Sequence, residues 1–136
     1  MSPRLALTIG AVQAFAFGLP LLLFPASMLA ISGLTLPDGG IAIARGAGAT
    51  VTGLGVIDWL LRGATGEVLR SLLGGNLVVQ ILSLLVNASE VLAGHLPAQA
   101  ASASLLHLIL SAMFVFALLR TDRGAKAQPR GSAVAR

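Results

Sequence analysis

The sequence is short of three kinds of residue, and each shortage excludes a class of protein. It contains no cysteine, which excludes disulfides, thiolate metal sites and cysteine nucleophiles. Its two histidines have no ligand partner nearby in the sequence, so we expect no metal centre and no cofactor. Only 10% of the residues are charged, whereas soluble domains carry about 25%. This shortage of charge indicates a membrane protein.

What the sequence has instead is apolar. Of its 136 residues 56% are hydrophobic, and the mean hydropathy is +0.91. Crossing ~30 Å of hydrocarbon takes roughly 20 mainly apolar residues, and four segments meet this requirement: residues 5–31, 41–61, 68–93 and 100–119. Short gaps rich in glycine and proline separate them, so neighbouring helices are expected to be antiparallel. The sequence predicts an all-α antiparallel bundle of four transmembrane helices within residues 1–120.

The basic residues predict the orientation of this bundle. With the N-terminus in the cytoplasm, the outer loops carry no Lys or Arg, and these basic residues lie inside: Arg4, Arg62, Arg70, Arg120, Arg123, Lys126, Arg130 and Arg136. The positive-inside rule therefore places both termini in the cytoplasm. Only Lys126 among the nine basic residues is lysine, and Ala and Gly are abundant, which suggests the codon usage of a GC-rich bacterial genome, so we expect a bacterial inner membrane. The basic residues flank apolar runs, so the net charge of +4 indicates no nucleic-acid partner.

The two ends of the chain have interpretations of their own. Residues 121–136 are polar, small and basic, and we expect them to form a disordered cytoplasmic tail. At the start, Arg4 precedes an apolar run that reaches Ala26-Ser27-Met28, a pattern that resembles a secretory signal peptide. Because the run is longer than a typical signal segment, we interpret it as the first span. Pro20 and Pro25 are expected to kink it or to end it early.

Polar residues interrupt the third span at helical spacing. Asn76, Gln80, Ser83, Asn87 and Glu90 follow one another at intervals of four, three, four and three residues. At ~100° per residue they share one side of a helix. A polar side chain that faces lipid is costly. This stripe is therefore expected to face the other helices and to form a polar cluster mainly in the outer half of the bundle.

Matching depths in the membrane predict the partners of this stripe. Glu90 and Arg45 are expected to form an ion pair about one turn below the outer surface. Asn87 is expected at the same depth as His107, and Asn76 at the same depth as Gln13. The complete predicted network, which is also the candidate ligand-binding set, comprises Gln13, Arg45, Thr52, Asn76, Gln80, Asn87, Glu90 and His107. Hydrogen bonds between membrane helices average about 0.6 kcal/mol, so packing alone accounts for the amides. Arg45 and Glu90 are stronger candidates for a function because they are ionisable.

The second span carries two further features. Asp58 and Arg62 are four residues apart in acid-then-base order, which predicts an ion pair at the membrane surface. Glu67 and Arg70, at the start of the third span, are interpreted in the same way.

A ridge of small residues runs along the second span: Ala42, Gly46, Ala49 and Gly53. Such ridges allow helices to approach closely. We expect this one to contact the first helix, a second copy of the chain or another membrane protein.

One stretch resembles a known group of proteins. The segment ARGAGATVTGLGVIDWLLR, with SGLTLP shortly before it, is similar to a pattern in small bacterial four-helix membrane proteins of the loosely DoxX-like group. The positions that match are Pro25, Gly33, Leu34, Thr35, Ala44, Arg45 and Gly48. The resemblance covers roughly the first half of the chain. It implies a compact four-helix membrane bundle and no particular chemistry.

These observations leave three functional hypotheses. The first is a structural or accessory membrane protein whose polar interior specifies helix packing, and the sequence favours it. The second is a protein that binds or transports a small ligand in a pocket around Arg45 and Glu90. The third is a membrane enzyme in which Glu90 and His107 act as acid and base. It has the least support, since the sequence contains no nucleophile motif, metal spacing or cofactor fingerprint.

Overall fold

The structure is a computed structural model that describes residues 2–127. Its helices are α1 (Pro3–Leu23), α2 (Pro25–Ile31), α3 (Asp38–Leu60), α4 (Gly66–Leu92) and α5 (Ala101–Ala127), with a 3-10 turn at Ala98–Ala100 before α5. Four of these helices, α1, α3, α4 and α5, are long and apolar enough to cross a membrane. The predicted all-α bundle of four spans is confirmed, and the chain is a multi-pass membrane protein.

Proline divides the segment that the sequence predicted as one span from residue 5 to residue 31. Pro25 begins α2, and Phe24 before it leaves the helical conformation, with φ −133° and ψ 51°. A residue that precedes proline is driven out of the helical region by the proline ring. Pro20, by contrast, lies inside α1 without ending it. The first span is therefore α1 alone, and α2 is a short separate helix at the far end of the bundle.

The long helices form two antiparallel pairs. In the first pair α1 packs against α3, and in the second α4 packs against α5. The pairs meet through α1, which contacts both α4 and α5. An apolar core fills this junction: Ala6, Leu7, Leu69, Leu73, Phe114 and Ala117. Although α3 and α4 follow one another in the chain, their described residues barely touch.

Glycines bring α1 and α3 into backbone contact. A Cβ atom at Gly48 would lie 2.4 Å from the backbone nitrogen of Leu22, and one at Gly18 would lie 2.6 Å from Oγ1 of Thr52. No side chain fits at such distances, so these positions must remain glycine for the helices to cross as they do. Close packing through small residues is a principal source of helix association in membranes. This contact determines which face of α3 is turned into the bundle.

The ridge predicted from Ala42, Gly46, Ala49 and Gly53 is not part of that contact. All of its residues are exposed, and a Cβ atom added at Gly46 or Gly53 would meet nothing within 4 Å. The ridge lies on the face of α3 opposite Gly48. The first helix is therefore not its partner, and its face is open to lipid or to another protein.

The end of the bundle at which α1 begins carries Arg4, Arg62, Arg70, Arg120 and Arg123, and we call it the basic end. There Nη2 of Arg70 lies 3.2 Å from Oδ1 of Asp122, which joins α4 to α5. Arg70 was expected to pair with Glu67 instead. The ion pair lies beyond the boundary expected at residue 120, and α5 continues through Ala127. The remainder of the predicted tail, residues 128–136, lies outside the described residues.

Two matched substitutions test the contact between α1 and α3. Gly48→Ala is expected to lower the free energy of unfolding by about 1–3 kcal/mol, because overpacking at a tight contact costs that much. Gly46→Ala is expected to leave it unchanged or to raise it by up to about 1 kcal/mol, because alanine is the better helix former. Thermal unfolding of both variants in detergent, followed by circular dichroism, measures the difference. Equal stability of the two variants would contradict this packing.

Candidate functional site: a ladder of polar pairs along α4

Polar side chains of α4 form a series of pairs through the bundle. We call this series the polar ladder; it consists of Asn76 with Asp58, Gln80 with His107, Asn87 with Ser104, and Glu90 with His95. Asn76 and Gln80 are each only 3% exposed. The stripe therefore faces the interior at these two residues, as its helical spacing predicts, while Ser83, Asn87 and Glu90 are half-buried.

Asp58 and Asn76 form the rung nearest the basic end. Nδ2 of Asn76 donates to Oδ1 of Asp58 at 2.7 Å and also to the backbone carbonyl of Leu72 at 3.0 Å. Asp58 is fully buried, and its second oxygen, Oδ2, has no hydrogen-bond partner in the described structure. This hydrogen bond links α3 to α4 where the two helices otherwise barely touch.

The next rung links α4 to α5. Nδ1 of His107 and Oε1 of Gln80 are 2.6 Å apart. Because an amide oxygen can only accept, the Nδ1–H group of His107 is the donor of this hydrogen bond. Ser111 donates to the backbone carbonyl of His107 at 2.7 Å, which satisfies a third polar group in the same layer. Farther from the basic end, Ser104 donates to Oδ1 of Asn87 at 2.7 Å. His107 was expected to pair with Asn87, but the pairing is offset along the helices.

The ion pair predicted between Arg45 and Glu90 is wrong. Oε2 of Glu90 instead lies 2.8 Å from Nδ1 of His95. The cause is local, because α4 ends in a Schellman motif with Gly94 in the left-handed conformation at φ +77°. In that motif the backbone N–H of His95 bonds the carbonyl of Glu90 at 3.0 Å, which brings the two side chains together. Arg45 is exposed on the other helix pair.

The remaining members of the predicted network lie elsewhere. Thr52 is half-buried, and its hydroxyl donates to the carbonyl of Gly48 at 2.8 Å, within the contact between α1 and α3. Gln13 is half-buried on α1 and forms no side-chain hydrogen bond with any described residue. Gln13 was expected level with Asn76, but the side chain of Asn76 bonds Asp58 and the carbonyl of Leu72 instead. The predicted set is therefore divided between the ladder, the α1–α3 contact and the surface.

Asp58 is the residue of the site that the sequence interpretation missed. It was expected at the surface with Arg62, but Arg62 bonds the backbone carbonyl of Trp59, and its guanidinium lies 4.2 Å from the centre of the Trp59 ring. Spacing from the inner glycines did not single it out. Asp58 follows Gly55 by three residues and Gly48 by ten, and Arg45, which is exposed, precedes Gly48 by three residues and Gly55 by ten.

The buried part of the ladder lies nearer the basic end than expected. Asn76 follows Arg70 by six residues, which corresponds to about 9 Å along the helix. Of the two most buried rungs, the one at Asn76 thus lies in the half of the bundle next to the basic end, and the one at Gln80 lies near the middle of the bundle. The half farthest from the basic end, where the sequence placed the cluster, contains the more exposed rungs at Asn87 and Glu90.

Two grooves reach the ladder from opposite directions. One, of about 480 Å³, lies between α3 and α4 on the side of the basic end; its lining includes Leu54, Glu67, Ser71, Gly75 and Asn76. The other, of about 420 Å³, lies farther from the basic end and is lined by Leu82, Ser83, Val86, Asn87, Leu96 and His107. Each groove therefore ends on a member of the ladder, and the buried rungs lie between them.

The described residues offer hydrogen bonds and one buried carboxyl, and no group of three His, Asp or Glu side chains among them is placed to hold a metal ion. Comparison with models of protein families, with curated proteins and with solved structures gives no match for this chain. The resemblance to the DoxX-like group therefore stays a prediction. The function has to be inferred from the residues themselves.

A double-mutant cycle tests whether the ladder stabilises the bundle. For Gln80→Ala and His107→Ala we expect a coupling energy of about 0.6 kcal/mol, the average for hydrogen bonds between membrane helices, and no more than the maximum of about 1.7 kcal/mol. Thermal unfolding in lipid–detergent mixtures gives the four stabilities required. Thr8→Ala serves as the control partner for Gln80→Ala, because Thr8 bonds only the carbonyl of Arg4. Additive effects of Gln80→Ala and His107→Ala would show that this rung contributes no coupling.

Proposed function

We propose that the protein is an accessory subunit of a membrane complex and that it docks through one face of α3. That face, the α3 outer face, consists of Ala42, Arg45, Gly46, Ala49 and Gly53. The observation that carries the proposal is the position of Arg45, which is exposed within a membrane span. The positions of the basic residues favour the basic end in the cytoplasm, and we propose a bacterial inner membrane from the amino-acid composition.

The location of Arg45 is costly without a partner. It lies seven residues into α3, about 10 Å from the start of the helix. An arginine at the centre of a membrane span costs about 2.5–3.5 kcal/mol on insertion scales, and the cost for Arg45 is smaller because it lies nearer the helix end and its side chain can extend toward the interface. Arg45 forms no ion pair with any described residue, since Glu90 is taken by His95. A carboxylate on a neighbouring transmembrane helix would offset this cost.

The residues around Arg45 suit a helix partner. The other four residues of the α3 outer face are alanine or glycine, and nothing lies within 4 Å of a Cβ atom added at Gly46 or Gly53. Another helix can therefore approach the backbone of α3 as closely as α1 does on the opposite face. The exposed surface of α4 is different, because large apolar residues such as Val78, Leu82 and Leu85 cover it. That surface is suited to lipid.

The interior of the bundle also supports a structural role. Most polar groups of the ladder bond one another, which is the arrangement expected when polar residues specify helix packing. The ladder joins α4 to both α3 and α5 and so fixes the relative heights of three helices. A rigid bundle with one docking face is a suitable accessory subunit.

Binding or transport of a small ligand is a second candidate, and the two grooves that reach the ladder favour it. The pocket would not be the one first expected around Arg45 and Glu90, since these side chains are not together. It would lie between α3 and α4, where Glu67 and Ser71 line the approach to Asn76. Native mass spectrometry from lipid tests this candidate, because a bound ligand adds a discrete mass to the chain.

Photo-crosslinking in native membranes tests the docking face. With a benzophenone amino acid at Gly53, we expect adducts heavier than the single chain, because the partner helix covers this position. Gly53 tolerates a side chain without disturbing the bundle. Arg45→Glu is expected to reduce the adduct yield at least about tenfold, the effect of losing about 1.4 kcal/mol. An adduct of twice the mass of the chain would identify the partner as a second copy.

The control carries the same amino acid at Val86, which is 62% exposed on α4. Lipid is expected to cover this position, so protein adducts should be rare. Equal yields from Gly53 and Val86 would contradict a docking face on α3. A yield from Gly53 that does not depend on Arg45 would show that the arginine does not contribute to docking.

A further inference from the structure

Asp58 is an unusual residue for the interior of a membrane bundle. It is fully buried, and no other ionisable side chain among the described residues is. Its Oδ1 accepts one hydrogen bond, from Asn76, and its Oδ2 accepts none. Asn76 has no further donor for Oδ2, because its second N–H bonds the carbonyl of Leu72. One carboxyl oxygen is thus buried and unpartnered.

Among the described residues, no cation forms an ion pair with this carboxyl group. The ionisable side chains described on the helices around it are Arg4 on α1, Asp38 and Arg45 on α3 with Arg62 just after it, Glu67, Arg70 and Glu90 on α4, and His107, Arg120, Asp122 and Arg123 on α5. Arg62 lies over Trp59, Arg70 pairs with Asp122, and His107 donates to Gln80. Arg4 is exposed six residues before Gly10, the α1 residue next to Asp58, about 9 Å along the helix. An ionised carboxylate in this position is strongly disfavoured.

The space next to Oδ2 limits what can bind there. A Cβ atom on Gly10 would stand 3.1 Å from Oδ2 of Asp58 and 3.0 Å from Cζ of Phe114. The backbone of α1 and the Phe114 ring therefore fill this side of the carboxyl group. A water molecule needs more room and two to four polar partners, and a hard metal ion needs about six oxygen ligands. A proton needs neither.

We propose that Asp58 is a proton-binding site between the two helix pairs, reached from the basic end through the groove between α3 and α4. The proton joins Oδ2, which converts the carboxylate to the neutral acid and leaves Oδ1 as the acceptor of the Asn76 N–H. Glu67 and Ser71 line the groove, and Asn76 lies both on the groove and against Asp58. Intramembrane carboxyl groups with such access are the usual elements of proton relays.

Proton binding at this site is coupled to the contact between α3 and α4. The hydrogen bond from Asn76 to Asp58 joins these helices where they otherwise barely touch. When Asp58 loses its proton, the carboxylate attracts water along the groove, because hydration is the remaining source of stabilisation for the charge. The groove is expected to widen and to become hydrated as the pH rises. This inference does not depend on the docking face of α3.

Infrared spectroscopy of the full-length protein in lipid tests proton occupancy directly. At neutral pH we expect the C=O stretching band of a protonated carboxyl group, which disappears in Asp58→Asn and persists in Glu67→Gln and Glu90→Gln. Labelling with ¹³C-aspartate is expected to shift this band in the unsubstituted protein, and the band is expected to persist in Asp38→Asn and Asp122→Asn, so the assignment to Asp58 survives even if Asp58→Asn fails to fold. A spectrum at neutral pH with no such band, or a band that does not shift with labelled aspartate, would overturn the proposal.

Two adjacent glycines test the coupling, because the chain has no cysteine of its own. Gly75 lines the groove and Gly74 is not part of its lining, and a Cβ atom at either would meet nothing within 4 Å. We expect the maleimide reaction rate of Gly75→Cys, divided by that of Gly74→Cys, to rise with pH. In the Asp58→Asn background the ratio is expected to stay constant. A ratio that is independent of pH in the unsubstituted background, or that rises equally in both backgrounds, would overturn the coupling.

Discussion

The backbone contact between α1 and α3 is the constraint on which the rest of the structure depends. Gly18 and Gly48 allow the two helices to approach until no side chain fits between them. A contact this close fixes the rotation of α3 about its own axis. Asp58 and Arg45 flank the inner glycines on opposite sides, and in the observed rotation the carboxyl group is buried and the guanidinium is exposed. The interior carboxyl group and the outward-facing cation thus have one cause.

Neither the charge of Arg45 nor the glycines of α3 identified its inner face from the sequence alone. Arg45 was expected inside as the ion-pair partner of Glu90, because the two residues were placed at a similar depth. Its side chain is long and flexible, however, and an arginine near a helix end keeps its charged group toward the interface. The glycines are divided between two faces, since Gly48 and Gly55 are buried while Gly46 and Gly53 are exposed.

Much of the architecture was predictable, and the limits have physical causes. Length and hydropathy were sufficient for the four spans, and the 3.6-residue period was sufficient to turn Asn76 and Gln80 inward. The choice between the two glycine-containing faces of α3 was not predictable from one sequence, because both faces permit close packing and only the partner helix distinguishes them. The pairing of Glu90 with His95 depends on a local turn at Gly94. That turn has a signal in the sequence, but matching residues by depth alone overlooks it.

The sparse contact between α3 and α4 also bears on how the molecule is made. Each helix pair is a hairpin whose contacts are local in the sequence, and α1 can settle against α3 before α4 and α5 have been synthesised. The nascent chain can therefore enter the bilayer as two successive hairpins, with the second docking on an already assembled first. The Asp58–Asn76 hydrogen bond and the apolar core around Phe114 would then form last, as the closing event of assembly.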